Sequence, residues 1–359
     1  MVYDTRIDSV SYTSDNIVLI IGESHNRHHN SYYGYPLNTN RYTEAYAPYV
    51  FTDVISPVNS TIYAIRSMIS MYESGSDGNI NDAQLLLPIF KEAGYEVRFD
   101  SNQNVKEKQA EGMDMALNIL YDNPIVEKAS FDKRNTEKYR YDGELVDCFM
   151  SETSADTLAR HTLSIIHLMG QHVAAKDRFP ASDKVFSADS LSFRTDLSDA
   201  DKQTVADYDN ATLYCDKQIA RIVEYFRQRD AIIIYVADHG DEANDFRLHV
   251  GRTYSLEAQS PACIHCQVDI PCLMFATDLY RERHPEMMER IAASTDLPMM
   301  TDALPHLLLY LGGVHTRWFN PSHCILSSDY DANRKRILMK GGVDYDSVCQ
   351  PGDKVIGME

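Results

Sequence analysis

Hydrophobic positions along this chain fall into short apolar runs separated by longer amphipathic segments. The run NIVLII at residues 16–21 lacks the alternation of a half-exposed strand and therefore predicts a strand that is buried on both faces. Three further apolar runs predict strands at residues 163–169, 231–237 and 272–276, and another strand is predicted at 95–99, after Gly94. The chain thus reads as a series of buried strands with helical segments between them.

The helical segments show the expected 3.6-residue period. Apolar residues within 219–226 recur at i, i+3, i+4 and i+7, which is the spacing of one buried helix face. A helix is also predicted over 84–93, which Gly94 follows, and another around 301–311. Strands that alternate with helices predict an α/β fold with a mostly parallel central sheet and helices on both faces.

We predict a single domain over residues 1–359, with a small C-terminal appendage after about residue 320. A chain of 359 residues can form one large domain or two ordinary ones, but no repeat, low-complexity tract or Gly/Ser linker divides it. The polar segment 106–143 gives the weakest secondary-structure signal.

Composition and charge exclude several classes of protein. Hydrophobic residues make up 44% of the chain, which suits a globular core, and 53 acidic against 34 basic residues give a net charge of −19. Nucleic acid is not an expected partner, because binding to phosphates needs clustered positive charge. No segment reaches the roughly 18–20 apolar residues of a membrane-spanning helix, and the first residues do not resemble a signal peptide. A cytosolic protein and the soluble part of a longer chain both fit.

Three of the seven cysteines cluster in the sequence, at Cys263, Cys266 and Cys272. The pair at 263 and 266 has zinc-ligand spacing, but no second CxxC and no histidine pair at zinc-finger spacing accompanies it. We therefore expect a disulfide within this cluster if the compartment is oxidising.

Residues that bind metals follow three of the predicted strands. Glu23 follows the first strand, His172 the third, and the pair Asp238 and His239 the fourth, while His249 lies ten residues beyond His239. The carboxyl ends of parallel strands meet at one edge of a sheet, so these side chains are predicted to converge there. Carboxylate oxygens and imidazole nitrogens are ligands that zinc accepts, and the set predicts a metal site.

Each of these residues alone has an ordinary structural alternative. An acid after a strand usually caps a helix or lies in a solvated turn, and a lone histidine is more often hydrogen-bonded than metal-bound. The adjacent Asp238 and His239 favour a metal, since they bring two types of ligand to one crevice. His25, His28 and His29 are predicted to be surface residues, because crowding in the sequence does not ensure proximity in space.

A candidate nucleophile lies in the sequence NSTIY at 59–63, where an apolar run ends and a helical segment begins. The free N–H groups and the dipole of a helix N-terminus stabilise an alkoxide and the phosphate that it attacks. Alternatively, Asn59, Ser60 or Thr61 simply caps the helix. The residues alone leave both possibilities open.

Seven motifs occur in the order and with closely similar spacing of one known family, and the resemblance covers about residues 16–310. They are IIGES (20–24), YGY (33–35), NSTIY (59–63), HLMGQH (167–172), FP (179–180), VADHGDE (236–242) and LH (248–249). On these motifs the chain resembles the catalytic domain of bacterial phosphoethanolamine transferases, members of the alkaline phosphatase/sulfatase superfamily. The resemblance implies an alkaline phosphatase-like fold.

The resemblance also implies roles for the site residues, which we state as expectations. Glu23, Thr61, Asp238 and His239 would ligate a catalytic zinc ion, with Thr61 as the nucleophile. His172 and His249 would bind the transferred phosphoryl group, protonate the leaving oxygen or hold a second zinc ion.

The reaction implied is transfer of phosphoethanolamine from a phospholipid, phosphatidylethanolamine, to lipid A or another surface glycan through a covalent threonine intermediate. The resemblance implies that this reaction modifies lipopolysaccharide at the periplasmic face of the bacterial inner membrane. Relatives are held there by an N-terminal membrane anchor, which we expect to have been removed from this sequence. The periplasm is oxidising, so the resemblance allows disulfides. The chain departs from several relatives in having Ser56 and Ser67 where they carry a cysteine pair beside the nucleophile.

Other activities of the superfamily stay open as alternatives. A phosphodiesterase or a glycerol-phosphate transferase uses similar metal chemistry. A sulfatase is less expected, because it needs a C/S-x-P-x-R motif that none of the cysteines begins and that the residues after Ser60 lack. A binding module without activity would require broken ligands, and none is visibly missing.

Overall fold

A seven-stranded sheet lies at the centre of the computed structural model, which describes residues 4–103, 123–153, 160–339 and 341–355. Its strands are β1 (Asn16–Gly22), β2 (Tyr49–Phe51), β3 (Glu96–Ser101), β4 (Lys133–Arg134), β5 (Thr162–His167), β6 (Ala231–Ala237) and β7 (Cys272–Ala276). Their order is β2-β7-β6-β1-β5-β3-β4. The strands from β6 to β4 are parallel, and β7 is antiparallel to both of its neighbours. The predicted mostly parallel sheet is confirmed, with one antiparallel strand that the sequence pattern did not indicate.

Helices surround this sheet. The described α-helices are α1 (Thr61–Met68), α2 (Leu86–Glu92), α3 (Pro124–Ser130), α4 (Asp142–Glu152), α5 (Asp199–Phe226), α6 (Pro261–Val268), α7 (Asp278–Arg283), α8 (Pro285–Ser294), α9 (Leu304–Gly312) and α10 (Tyr345–Val348). Four short strand pairs complete the fold: Ser9–Val10 with Val314–His315, Val54–Ile55 with Met299–Met300, Glu242–Ala243 with Val250–Gly251, and Ile337–Leu338 with Val343–Asp344.

Strand β1 shows why the apolar run at its position does not alternate with polar residues. Ile17, Leu19 and Ile21 pack into the hydrophobic cluster that contains α2 and α9. Val18 and Ile20 point to the opposite face and pack against α4 and α5. Both faces of the strand are covered, so every position favours an apolar side chain.

The predicted elements are found close to their expected bounds. The strands predicted at 231–237 and 272–276 have those limits, and the helix predicted over 84–93 is the shorter α2, whose Pro88 lies in the first turn, where proline is tolerated. Part of the weakly patterned segment 106–143 lies outside the described residues; its remainder forms α3, β4 and the start of α4.

The chain after about residue 320 packs on the main body of the protein. Leu338, Tyr345 and Cys349 share a hydrophobic cluster with Ile55 and Met300. The predicted C-terminal appendage, like the single-domain organisation, stays a prediction. Within the described ranges, no helix combines the length and the apolar character needed to cross a bilayer.

Candidate metal centre and nucleophile

Neighbouring strand ends bring the predicted metal ligands together. Strands β1 and β6 run side by side in parallel, and Gly22, the last residue of β1, pairs with Ala237, the last residue of β6. Glu23 and Asp238 therefore leave the sheet next to each other. One oxygen of each carboxylate and a ring nitrogen of His239 lie within 4.8 Å of one another, and all three side chains are wholly buried. The predicted meeting of these residues at the carboxyl edge of the sheet is what the structure shows.

The separations within this cluster suit a four-coordinate metal. His239 Nε2 lies 3.2 Å from Glu23 Oε1 and 3.2 Å from Asp238 Oδ2. Thr61 Oγ1 lies 3.2 Å from Glu23 Oε1 and 3.2 Å from His239 Nε2. Ligands about 2.0 Å from a zinc ion at the centre of a tetrahedron are about 3.3 Å apart. The four side chains thus have the spacing and the donor types of a zinc site.

Hydrogen bonding leaves the right atoms of this cluster for a metal. His239 Nδ1 lies 2.8 Å from the Gly240 carbonyl oxygen and donates its proton there, so Nε2 keeps a lone pair that faces the cluster. Asp238 Oδ2 is buried and has no hydrogen-bond partner among the described residues. A buried carboxylate oxygen without a hydrogen-bond partner is costly unless a cation lies against it. The residues fit a zinc ion.

The electrostatics of the cluster point the same way. Burial raises the pKa of Asp238 well above its ordinary value, and the adjacent charge of Glu23 raises it further. Burial, together with the charge of Arg252, lowers the pKa of His239 and keeps its ring neutral. Two adjacent carboxylates cannot both be ionised at low cost without a compensating cation.

Glu23 is held from several sides. Its Oε1 accepts a hydrogen bond of 2.9 Å from Ser24 Oγ, and its Oε2 accepts one of 2.6 Å from Gln103 Nε2. Gly170, after β5, adopts a φ of +50°, and a Cβ there would lie 2.8 Å from the backbone N and O of Glu23. Glycine is required at this close approach, because any side chain would displace the ligand.

Asp238 is oriented through one of its two oxygens. Its Oδ1 accepts hydrogen bonds from the backbone N–H groups of Ser24, at 3.0 Å, and His239, at 2.7 Å. Ser24 has a φ of +55°, which is unusual for a residue other than glycine. Such strained residues concentrate at functional sites, and here the strain aims an N–H group at the Asp238 carboxylate.

Thr61 is the first residue of α1, and its hydroxyl faces the metal cluster. Ser60 stands at the N-cap position, but its side chain makes no capping hydrogen bond. The Asn59 amide donates instead to Gln267 Oε1, at 2.7 Å. A capping hydrogen bond from the side chain of Asn59, Ser60 or Thr61 is therefore not observed. Thr61 Oγ1 lies next to the oxygens of Glu23 instead.

The two remaining predicted residues, His172 and His249, lie outside the set of ligand atoms formed by Glu23, Asp238 and His239. His172 is half-buried beyond β5, and its charge acts on Glu23. His249 is half-buried in the turn between Glu242–Ala243 and Val250–Gly251. Phosphoryl binding, proton transfer and a second zinc ion stay predictions for both.

The prediction that His25, His28 and His29 are surface residues is wrong for two of them. His25 is buried, and its Nδ1 lies 2.7 Å from the Tyr235 hydroxyl. His29 is wholly buried between two carboxylates. His28 is half-buried and faces Asp269 at 2.9 Å. The segment after β1 turns inward because buried polar partners face both ring nitrogens of His29 and one of His25, and a hydrophobicity pattern does not reveal such partners.

The predicted disulfide among Cys263, Cys266 and Cys272 is not formed, and all seven cysteines are free. Cys263 and Cys266 lie one turn apart on α6, where the Cys263 thiol is 3.4 Å from Glu242 Oε1. Cys272 is buried in β7 within the core. These thiols are held by a hydrogen bond or by apolar packing rather than by one another.

Sequence reasoning missed two residues of the site. Gln103, which holds Glu23, follows β3 and would have been found by the same search of strand ends. Arg252, whose Nη1 lies 2.6 Å from His239 Nε2, carries no such signal, because it comes from the residues after a two-residue strand.

The fold and site define the class of the protein. The sulfatase family profile matches residues 15–308, and the chain belongs to the sulfatase family. It is similar to the phosphoethanolamine transferase EptC of Escherichia coli O18:K1:H7 (strain RS218 / NMEC), with 24% identity over 351 residues, which is 94% of this chain and 58% of that protein. It is 25% identical over 286 residues to the Kdo(2)-lipid A phosphoethanolamine 7''-transferase of Salmonella typhimurium, covering 78% of this chain and 48% of that protein. The chain thus spans about half the length of these relatives.

The fold is also similar to that of solved structures. The C-terminal periplasmic domain of EptC from Escherichia coli, in complex with Zn, superposes with a TM-score of 0.79 and 22% identity over 98% of this chain and 97% of that one. A protein of the alkaline phosphatase superfamily from Vibrio parahaemolyticus gives a TM-score of 0.59 at 16% identity, covering 92% of this chain and 74% of that one. The expected alkaline phosphatase-like fold is confirmed.

Proposed function

We propose that this chain is the catalytic part of a zinc-dependent phosphoethanolamine transferase that works through a covalent adduct on Thr61. The observation that carries the proposal is the position of Thr61 Oγ1, which lies 3.2 Å from both Glu23 Oε1 and His239 Nε2 in a buried cluster with an orphaned Asp238 oxygen. A hydroxyl beside two carboxylates and a neutral imidazole is the arrangement expected of a metal-activated nucleophile. The similarity to named phosphoethanolamine transferases supports the choice of transferred group.

Glu23, Thr61, Asp238 and His239 would hold the zinc ion. When bound, zinc lowers the pKa of a coordinated hydroxyl and neutralises charge on phosphoryl oxygens. The zinc complex of the EptC domain supports the choice of metal. We propose one zinc ion in this cluster, and a second, if there is one, would lie toward His172.

The first half-reaction transfers phosphoethanolamine to the protein. Thr61 Oγ gives up its proton to solvent as it forms a bond to the phosphorus of phosphatidylethanolamine, and the bond from phosphorus to the glycerol oxygen breaks. The leaving oxygen takes up a proton from His172 or His249, and diacylglycerol departs. Imidazole suits this exchange, because it gains and loses protons near neutral pH.

The second half-reaction regenerates Thr61. An acceptor hydroxyl or phosphate oxygen attacks phosphorus in line, a hydroxyl giving its proton to the same imidazole. The bond from phosphorus to Thr61 Oγ breaks, and Thr61 Oγ takes back a proton from solvent. The acceptor we propose is lipid A or another surface glycan, a choice that the lipid A transferase among the relatives supports. The proposed location is the periplasmic face of the bacterial inner membrane, and the matched EptC domain is itself periplasmic.

Related reactions differ in what they require of the nucleophile. Sulfatases of this family need a C/S-x-P-x-R motif, and the residues from Thr61 onward read TIYAI. Sulfate ester hydrolysis is therefore disfavoured by the residues themselves. Glycerol-phosphate transfer and phosphodiester hydrolysis place the same demands on the metal site and are distinguished by product.

A labelled donor lipid incubated with candidate acceptors tests the proposal, with product mass as the readout. The zinc-loaded chain should add phosphoethanolamine to an acceptor and release diacylglycerol. Thr61→Ala should lower the rate by several orders of magnitude, and Thr61→Ser should retain part of it because it keeps a hydroxyl. Transfer of glycerol phosphate, release of free phosphoethanolamine alone, or near-normal transfer by Thr61→Ala would contradict the proposal.

A further inference from the structure

The guanidinium of Arg252 reaches the metal cluster from the edge that faces solvent. Its Nη1 lies 2.6 Å from His239 Nε2 and 3.5 Å from the Asn59 carbonyl oxygen, and its Nε lies 3.3 Å from Asp241 Oδ1. The side chain is 27% exposed, in contrast to the wholly buried Glu23 and His239. Arg252 therefore connects the buried cluster with the mouth of the site.

Arg252 donates a hydrogen bond to the lone pair that a zinc ion would use. His239 Nδ1 carries the ring proton, so Nε2 has one lone pair, and it can accept either from Nη1 or bind a metal. Metal binding must therefore displace the guanidinium from His239. The backbone beside Arg252 is held by the pairing of Gly251 with Glu242, so a displaced guanidinium stays at the site.

The surroundings of Arg252 are strongly acidic. Its charge acts on Glu23, Asp238 and Asp241, which are buried around it. An anionic phosphodiester that approaches this site meets carboxylates unless a cation faces it. A planar guanidinium binds two phosphate oxygens at once and is suited to that task.

We propose that Arg252 binds the phosphoryl oxygens of the donor in the metal-loaded protein, and that in the metal-free protein the same guanidinium satisfies the metal-binding lone pair of His239. The proposal rests on the proposed function for the identity of the ligand as a phosphoryl group. The competition between Arg252 and a metal for His239 Nε2 follows from two distances, Arg252 Nη1 to His239 Nε2 and His239 Nδ1 to the Gly240 carbonyl oxygen. The other role open to Arg252 is structural, as an ion-pair partner that holds Asp241 and the strand pair behind it.

Two binding measurements separate these roles without relying on turnover. In the first, the zinc-loaded protein is titrated calorimetrically with inorganic phosphate and with O-phosphoethanolamine. Arg252→Ala should weaken binding of both by about 10- to 100-fold, the loss expected for a hydrogen-bonded charged partner, and Arg252→Lys should restore part of it. Arg227→Ala, which removes an exposed arginine at the end of α5, should bind both anions like the unmodified chain.

In the second measurement, zinc affinity is determined by competition with a chelator. Arg252→Ala should bind zinc at least as tightly as the unmodified chain, because it removes a competitor for His239 Nε2. A tenfold or larger loss of zinc affinity would show that Arg252 holds the ligands in place, and would overturn the proposal. Unchanged phosphate binding in Arg252→Ala, or no phosphate binding by the unmodified zinc-loaded chain, would also overturn it.

Failure of this proposal and failure of the proposed function give different results. A protein that binds phosphate through Arg252 but transfers no phosphoethanolamine supports the role of Arg252 and removes the proposed function. A protein that transfers phosphoethanolamine with the same anion affinity after Arg252→Ala supports the function and overturns the role of Arg252. Thermal unfolding of each variant confirms that the comparison is between folded proteins.

Discussion

Two residues of the metal cluster, Asp238 and His239, are each fixed through one atom and point another atom at the centre. Asp238 uses Oδ1 to accept two backbone N–H groups and leaves Oδ2 for the cluster. His239 uses Nδ1 on the Gly240 carbonyl and leaves Nε2. Such outer contacts set the tautomer and orientation of metal ligands before the metal arrives. The geometry of the site therefore depends on these outer hydrogen bonds as well as on the ligand atoms.

We expect His239→Ala to lose far more zinc than His172→Ala. His239 supplies a nitrogen within 3.2 Å of two carboxylate oxygens, whereas His172 lies outside that set. Metal content after dialysis, measured by mass spectrometry of the elements, gives the comparison. Equal losses in the two variants would mean that His172 is also a ligand, of this ion or of a second one.

Sequence reasoning at this scale succeeded where a simple geometric rule applied. Glu23, Asp238 and His239 directly follow strands whose carboxyl ends meet, and that rule needs only the strand pattern. The rule does not reveal Arg252 or what the backbone of Ser24 does, because these depend on the path of a loop and on a φ of +55°. Neither property is encoded in a local pattern of residue types.

At the scale of elements, His29 ties the long helix α5 to the segment beside the site. Its Nδ1 lies 2.8 Å from Asp209 Oδ1 on α5, and its Nε2 lies 2.6 Å from Asp245 Oδ1. Both ring nitrogens face carboxylates, so the ring is protonated. Burial opposes that charge, but the carboxylates of Asp245 and Asp209 outweigh it and raise the pKa of His29 to about 10.

We predict that the protein loses stability as the pH rises from about 6.5 to about 10. The pKa of His29 is about 10 in the folded chain, against an ordinary value of 6.5, so the folded chain binds this proton more tightly. The contribution is complete below pH 6.5 and is lost as the pH rises through the folded pKa. Urea unfolding at several pH values between these limits measures it.

The matched variants for this prediction are His29→Asn and His315→Asn. His29→Asn should be less stable at pH 6.5 by about 3–5 kcal/mol, the cost of removing one partner from a buried ion pair, and should lose most of the pH dependence. His315 is exposed, so His315→Asn should follow the unmodified chain. A pH profile that is the same with and without His29 would show that other groups cause the loss.

Helix α5 also shows what the hydrophobic period does not predict about a helix. Its last turns carry the apolar period that predicted a helix over 219–226. Its middle buries Asp209, Asn210 and Asp216, which are paired with side chains or backbone of other elements. A buried polar helix face does not produce the hydrophobic period, so the sequence revealed only the end of a 28-residue helix.

At the scale of the whole molecule, the free cysteines give a direct check of the structure. Six of the seven are buried, and none is bridged to another. The purified chain, unfolded in denaturant without reductant, should therefore show seven reactive thiols, and reductant should not change its melting temperature. A count lower by two or more would indicate a disulfide. The pairing of cysteines could not be predicted from the sequence, because it depends on distances between segments far apart in the chain.

The α/β architecture was predictable for the opposite reason. Strands β1 and β6 are buried on both faces and therefore form nearly continuous apolar runs. The antiparallel β7 has the same apolar character and gives no sign of its direction. The burial of a strand shows in its residue types, whereas its direction depends on the connections between elements.

The central claim is that Thr61 carries the transferred group, and the most direct test is a search for that adduct. The zinc-loaded chain is exposed to phosphatidylethanolamine without acceptor, digested and mapped by peptide mass spectrometry. We predict phosphoethanolamine on Thr61 in the unmodified chain and no adduct on this peptide in Thr61→Ala. An adduct on Ser60 or Ser24, or transfer to acceptor by Thr61→Ala at a near-normal rate, would contradict the account.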